Sequence, residues 1–372
     1  MTASDSSRPA VLVTGVSGNL GQRLQRQLAG FRIIGVDFKP PSAPLDRFEE
    51  MDLGEEESCD QLLALISSER PVAVVHLAFV IDPVRTGVVD ADRMWRINVA
   101  GTARVMEAIA VANRRDAAPS VSKFIFPSSV SAYGPELPCE VSEDCPLAGH
   151  TLLYAIHKRE SDLAVQQRAA LLGECSTYIL RPHIFTGASM QNYLVGALRG
   201  TPTGQGRMAA DLRQRGKRMP LLLPMGRRYR QNRIQFVHVD DMARLIAWLL
   251  RREAADPQLT ILNIAGRGPS LTVEDCAAIG NAKVVQVPGR WLCRLILRTV
   301  WELGISAFPP DAFPYLAGSY CMDTSRLRDF LGDEYERIMQ HTTESALRDS
   351  FADTSELLGQ RGAHGSARAR SV

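Results

Sequence analysis

Pro9 is followed by a short apolar run, Ala10-Val-Leu-Val-Thr14, then a cluster of glycines, then an amphipathic stretch ending at Gly30. A second apolar run, Arg32-Ile-Ile-Gly-Val-Asp37, comes next. Strand, tight turn, helix and strand within about thirty residues make one βαβ unit. The rhythm recurs. Pro71-Val-Ala-Val-Val-His-Leu77 follows a helical 57–68 segment, and Lys123-Phe-Ile-Phe-Pro127 follows a helix over 91–113. Ser176-Thr-Tyr-Ile-Leu-Arg181 follows a helix over 151–172 that Gly173 caps. Continuously apolar strands alternating with helices predict a doubly wound, parallel α/β sheet covered on both faces.

The rhythm breaks after Pro182. Residues 200–233 hold many glycines and arginines around the apolar Leu221-Leu-Leu223, and 284–350 read as a second irregular and helical stretch. Between them Phe236-Val-His-Val-Asp240, the helix after it and a Thr260–Ile264 strand restore the α/β pattern. The expected division is a nucleotide-binding domain over 10–181 with 234–266, and a smaller, discontinuous C-terminal lobe over 182–233 with 267–350. Residues 1–9 read as a flexible N-terminus and 354–372 as a disordered basic tail.

Composition narrows the class of protein. A net charge of +2 gives no reason to expect nucleic acid as a partner. The seven cysteines are scattered without a C-x-x-C pair, which reads as reduced thiols and no metal site. The polar first residues lack an apolar targeting core, and no apolar run is long enough to span a bilayer. A cytoplasmic enzyme is the expectation.

Thr14-Gly15-Val-Ser-Gly18-Asn-Leu-Gly21 sits between strand and helix. Glycines there let backbone approach a pyrophosphate, and the helix start offers free N–H groups. Asp37 ends the next strand, 22 positions after Gly15, where a carboxylate binds the ribose hydroxyls of NAD and repels the 2′-phosphate of NADP. Lys39 leaves some room for NADP. Asp52-Leu53 could meet the adenine edge, and Leu77-Ala78 ends a strand where small residues let a cofactor lie against backbone. His76 reads as a satisfied core histidine.

Tyr154-Ala-Ile-His-Lys158 places a phenol and an ammonium on one helix face. Ser128-Ser129 ends the preceding strand, where sites of open α/β sheets gather. This is a set for moving a proton off a hydroxyl while hydride leaves its carbon. A free tyrosine has a pKa of about 10, too high for a base at neutral pH. Lys158 and an oxidised nicotinamide would lower it, about three units requiring about 4 kcal/mol. Ser129 would orient the reacting oxygen, and Lys158 would hold the nicotinamide ribose.

With these motifs together, the chain resembles the extended short-chain dehydrogenase/reductases, the NAD-dependent epimerase/dehydratase family, and within it the UDP-glucose/galactose 4-epimerases. Asn98 in Arg96-Ile-Asn-Val-Ala-Gly-Thr102, Leu180-Arg-Pro182 and Phe236-Val-His-Val-Asp-Asp241 extend the likeness. The resemblance implies a Rossmann-type fold with a substrate-binding second lobe, and catalytic Tyr154, Lys158, Ser129 and Asn98. It implies cofactor contacts from Gly15, Ser17, Gly18, Asn19, Leu20, Gly21, Asp37, Asp52, Leu53, Leu77 and Ala78. Asn98, Ser128, Tyr154, Lys158, Arg181 and Pro182 would complete them. Ser129, Tyr154 and Arg233 would touch substrate, and the subunits would pair as a homodimer.

Departures refine this. Nucleotide-sugar dehydratases carry Asp-Glu after the catalytic Ser/Thr, and related decarboxylases keep the Glu; Val130 and Ser131 stand here, disfavouring both reactions. Ile184 replaces an Asn that contacts substrate phosphate in many relatives, and Ile234 stands where an Arg is usual, with Arg233 before it. The basic run from Arg207 to Arg233 could replace those groups or could be a solvated loop. Arg290, Arg294 and Arg298 recur beside Trp291, Leu295, Ile296, Leu297, Val300 and Trp301. That amphipathic helix could pack on the lobe with its arginines outward, the favoured reading, or lie weakly at a membrane surface. The leading expectation is an NAD-dependent epimerase acting on a nucleotide sugar. A dehydrogenase or reductase of a sterol-like or lipid alcohol is the alternative, and a non-catalytic dinucleotide sensor the third.

Overall fold

The computed structural model describes residues 8–81, 90–115, 120–137, 140–190, 192–253 and 258–352. The tail expected at 354–372, and all of the flexible N-terminus except Arg8 and Pro9, lie outside the described residues.

The first half is the expected alternation. It runs β1 (Ala10–Thr14), α1 (Asn19–Gln27), β2 (Arg32–Asp37), β3 (Arg47–Glu50), α2 (Ser58–Glu69) and β4 (Ala73–His76). Then come α3 (Ala91–Trp95), a π-helical turn (Arg96–Ala100), α4 (Gly101–Arg115), β5 (Lys123–Pro127), α5 (Leu153–Arg168) and β6 (Ser176–Pro182). The one long helix expected over 91–113 is interrupted at Asn98 by that π turn.

The second half begins with β7 (Ile184–Thr186), α6 (Tyr193–Arg199), α7 (Arg207–Gln214), β8 (Leu221–Pro224), α8 (Arg227–Gln231), β9 (Arg233–Ile234) and β10 (Phe236–His238). It continues with α9 (Val239–Arg251), β11 (Leu259–Ile264), β12 (Leu271–Thr272), α10 (Val273–Ile279), β13 (Val284–Val287) and α11 (Gly289–Glu302). Four short helices close it: α12 (Phe313–Ala317), α13 (Ser325–Leu331), α14 (Tyr335–Ile338) and α15 (Thr343–Asp349). Residues 200–233 are therefore more regular than expected. Their elements are too short, and too broken by glycine, to leave a readable period.

The main sheet has the order β3-β2-β1-β4-β5-β6-β11, every pairing parallel. Strand alternation divides its core. Val11 and Val13 of β1 pack with Leu24 of α1 and Leu245 and Leu249 of α9, while Leu12 faces Leu62 of α2 and Val105 and Ile109 of α4. This is a Rossmann-type doubly wound sheet. β3 was not legible because its sequence, Arg-Phe-Glu-Glu, has no apolar run; it is an edge strand held by charge, Arg47 pairing with Glu49 and Glu69.

Away from the sheet, β7 pairs with β10, β8 with β13, and β9 with β12. A separate apolar cluster joins Leu194 and Leu198 of α6, Leu221 and Leu223 of β8, Cys276 of α10 and Leu347 of α15. By contrast, Leu327 of α13 and Ile338 of α14 pack into the core of the main sheet.

Candidate active site

The chain leaves β1 for β2 on one side and returns to β4 on the other, so a crevice opens at the carboxyl ends of β1 and β4. Gly15 turns there with φ +68°, and a Cβ on it would stand 2.4 Å from the Ala78 nitrogen. The turn and the end of β4 are in backbone contact, which only glycine permits. Asp37, at the end of β2, accepts the Ser17 N–H at 3.0 Å and the Lys39 N–H at 3.3 Å. Gly18 caps α1 without a side-chain hydrogen bond, so the first N–H groups of α1 are not taken by a capping side chain. At the end of β5 the Ser128 hydroxyl is buried without a hydrogen-bond partner. A glycine turn with no room for side chains, an oriented carboxylate and an orphaned buried hydroxyl fit a dinucleotide.

His76 lies beside this crevice but is satisfied, Nδ1 meeting Thr14 Oγ1 at 2.7 Å and Nε2 meeting Thr102 Oγ1 at 3.0 Å. Burial pushes its pKa down to about 3.

α5 carries Tyr154 and Lys158 one turn apart. Tyr154 is half-buried, interacts with Ser129, and meets the Phe79 ring edge-on at 5.9 Å. The Ser129 hydroxyl also accepts the Ser131 N–H at 3.1 Å, which fixes its place at the end of β5. Lys158 is buried; its Nζ donates to the Pro127 carbonyl at 2.7 Å and lies 3.6 Å from the centre of the Phe79 ring. Asn98, in the π turn, donates Nδ2–H to Val80 O at 3.0 Å and accepts the Val80 N–H at 2.7 Å. Its amide also meets His157 Nδ1 at 3.2 Å, and Ser161 donates to its carbonyl at 3.0 Å. Asn98 thus ties α5 to the segment after β4.

The expected lowering of the phenol by Lys158 does not occur in this arrangement. Burial pushes Tyr154 up to about 12, with Ser129 working against it. Burial pushes Lys158 down to about 7, Asp162 opposing. The physical reason is orientation, since Nζ is turned to the Pro127 carbonyl and the Phe79 face.

Residues 11–265 match the family described as the NAD-dependent epimerase/dehydratase family. The chain belongs to it. No curated protein matches the sequence. Among solved structures, MoeE5 in complex with UDP-glucuronic acid and NAD is similar at 20% identity and TM-score 0.62, covering 95% of this chain and 99% of that one. The UDP-Glc/GlcNAc 4-epimerase from Campylobacter jejuni is similar at 20% identity and TM-score 0.61, covering 92% and 98%. The Thermus thermophilus UDP-glucose 4-epimerase in complex with NAD is 18% identical with TM-score 0.62, covering 92% and 97%. These likenesses establish the fold.

Several expected contacts of this epimerase/dehydratase-family chain can now be placed. Leu77 and Ala78 line the Gly15 turn. Asn19 reaches Ser189, its Nδ2 standing 3.1 Å from the Ser189 hydroxyl. Asp52 accepts the Gly54 N–H at 2.8 Å and pairs with Arg93 at 2.9 Å. The Arg181 side chain, expected to face the cofactor, is turned to protein partners. It is 1% exposed, paired with Asp162 at 2.9 Å, and donates to the Tyr133 hydroxyl at 2.7 Å and the Glu143 carbonyl at 2.9 Å. Desolvation forces a buried guanidinium to take such partners. Pro182 follows it as the last residue of β6. Arg233 is exposed and donates to the Ser270 hydroxyl at 3.1 Å.

Two groups at the site escaped sequence reasoning. Phe79 packs against both Tyr154 and Lys158, and its one local signal is its place directly after Leu77-Ala78. Tyr320 is buried, and its hydroxyl donates to Ser131 Oγ at 3.0 Å across a separation of 189 residues, which no local pattern reveals. Elsewhere, His238, Asp241 and His341 lie with ligand atoms within 4.8 Å. Their polar atoms bond to protein, His341 Nδ1 to Asp241 at 2.8 Å and His238 Nε2 to Asp349 at 2.9 Å, with Arg244 also on Asp241.

Proposed function

We propose that this chain is an NAD-dependent epimerase-type oxidoreductase in which Tyr154 takes the proton of a secondary hydroxyl. The observation that carries the reading is the meeting of Tyr154, Ser129 and Lys158 beside the Gly15 turn. NAD, when bound, supplies the hydride acceptor and a positive charge that favours phenolate. Ser129 hydrogen-bonds the substrate oxygen and Tyr154 Oη receives its proton. Lys158, freed from the Pro127 carbonyl, holds the nicotinamide ribose and adds its charge beside the phenol. Asn98 keeps α5 in register. Subunits pair as a homodimer, as the family resemblance implies.

The first substrate reading is a nucleotide sugar, supported by the nucleotide sugar in the MoeE5 complex and the named epimerase activity of the other neighbours. It is tested by proton NMR of purified protein with catalytic NAD and UDP-galactose. Anomeric signals of UDP-glucose that appear without NADH support it; unchanged signals from NAD-binding protein overturn it.

A second reading, an apolar secondary alcohol, is favoured by one specific feature of the second lobe. A cavity of about 100 Å³ lies there, lined by Leu194, Leu198, Leu221, Leu223, Val300 and Phe308 among others. Ile184 packs against the same apolar cluster. The arginines expected to substitute for phosphate ligands are partly committed to holding loops. Arg213 donates to the Pro202 and Gly204 carbonyls, Arg218 to those of Arg199 and Gly280, and Arg230 pairs with Glu274. NADH accumulating with a sterol or long-chain secondary alcohol, but with no UDP-sugar, decides for this reading.

A further inference from the structure

α11 is amphipathic in an unusual sense. Its inner stripe packs on the lobe: Cys293 is fully buried, and Leu297 and Val300 line the apolar cavity beside β8. Its outer stripe, at i, i+3, i+4, i+7 spacing, carries Trp291, Arg294, Leu295 and Arg298. The helix packs as the sequence favours, with arginines outward, but large apolar groups face outward with them. Trp291 is 69% exposed, Leu295 52% and Trp301 44%.

The patch extends beyond the helix. Met225 hydrogen-bonds through its N–H to the Val287 carbonyl just before α11, and Gly206, two residues before Met208, does so to the Gly304 carbonyl just after it. Met208, Met225, Trp291, Leu295, Trp301 and Leu303 are six of the eleven exposed large apolar side chains among the described residues. That concentration on one edge is what separates a surface for binding from scattered exposure. Cations accompany it. Arg294, Arg207 and Arg227 are exposed along it, while Arg290 pairs with Glu136 and Arg298 with Glu302. Over 353–372 the basic Arg361, Arg368 and Arg370 outnumber the acidic Asp353 and Glu356, so that segment does not complement this face by charge.

We propose that this edge of the second lobe docks on the surface of an anionic lipid bilayer, with Trp291, Leu295 and Trp301 in the interface and Arg294 at the headgroups. Tryptophan and leucine set among arginines suit a headgroup boundary, where apolar rings are buried and charge remains wet. α11 then separates the bilayer from the apolar cavity beneath its inner stripe. The docking does not depend on which alcohol the enzyme oxidises, because its test reads partition and not turnover.

The test is co-sedimentation of the full chain with vesicles of phosphatidylcholine alone or mixed with phosphatidylglycerol. Binding to the mixed vesicles is expected, weaker by about tenfold or more on pure phosphatidylcholine, and weakened by salt. Trp291→Ser with Leu295→Ser should lose about tenfold or more in partition with NAD binding unchanged, since both side chains are exposed. Leu171→Ser, removing an exposed apolar group elsewhere, should bind as the parent does. Absence of binding to mixed vesicles overturns the proposal. So does a double variant that binds like the parent, or one whose only change is dissociation of a dimer, which would make the face a contact between copies of this chain.

Discussion

The crevice around Tyr154 and the apolar cluster around Leu221 are built from opposite materials. In the first, most buried polar groups are held by named partners, Asn98 by Val80 and His157, Lys158 by Pro127, Arg181 by Asp162 and Tyr133, and Ser128 stands without one. In the second, leucines from α6 and β8 enclose a cavity whose lining is mostly aliphatic. A buried polar network fixes atoms to within hydrogen-bonding tolerance and so suits chemistry. An apolar cavity fixes volume and little else, so it suits the selection of a substrate. Under the proposed function, the crevice carries the reaction and the second lobe selects its object.

Mutation should divide along the same line. Tyr154→Phe removes the proposed proton acceptor but keeps the ring against Phe79. Turnover should fall by about a thousandfold while NAD affinity and melting temperature hold, measured by steady-state rates and NAD titration. Loss of stability instead would make the phenol a structural group and blur the contrast. Leu198→Ala should do the reverse. Leu198 is fully buried and lines the cavity, so its truncation should cost about 3 kcal/mol in urea unfolding, with Tyr154 chemistry intact in the surviving folded protein.

The two halves also differ in how much of them the sequence discloses. β1, its glycine turn, α1 and Asp37 lie within 28 consecutive residues, so the cofactor crevice is a local pattern. Tyr154 and Lys158 are likewise one helical turn. Tyr320 and the cavity are not local: they form where distant short segments meet, and β8, β9 and β12 are too brief to carry a period. The partners of Arg181 are hidden for a related reason. A strand-end arginine in a recognised motif reads as a ligand, and only the fold brings Asp162 and Tyr133 to it. The charge of Lys158 was legible, but its direction was not, because rotamer and carbonyl partner are tertiary facts.

That direction gives a pH test confined to the crevice. Lys158 titrates at about 7 in the fold and at about 10.4 unfolded. Between those values the unfolded chain binds a proton that the folded chain lacks, so stability should rise with pH across the window. Below pH 7 both states are protonated and Lys158 adds no slope. For cofactor-free protein, urea unfolding should show about 2 kcal/mol more stability at pH 9 than at pH 7 from this residue. Lys158→Met should remove that increment. An unchanged slope in the variant would mean that Lys158 keeps its proton in the fold, and that the crevice tolerates buried charge better than its packing implies.

The smallest effect is expected at Arg233, in β9, which pairs with β12. Its side chain is exposed and donates to Ser270, so Arg233→Ala should change stability by about 0.5 kcal/mol or less. Its value lies in affinity. If the second lobe takes an apolar alcohol, loss of this guanidinium should leave substrate KM unchanged, because no phosphate needs it. If the lobe takes a nucleotide sugar, Arg233, directly before Ile234, supplies the fork that the phosphate contacts lack. UDP affinity, measured by calorimetry, should then drop about tenfold, as loss of a charge-assisted hydrogen bond predicts. A tenfold drop would make the second lobe partly polar in function despite its aliphatic lining, and the division of labour between the two halves would have to be redrawn at Arg233.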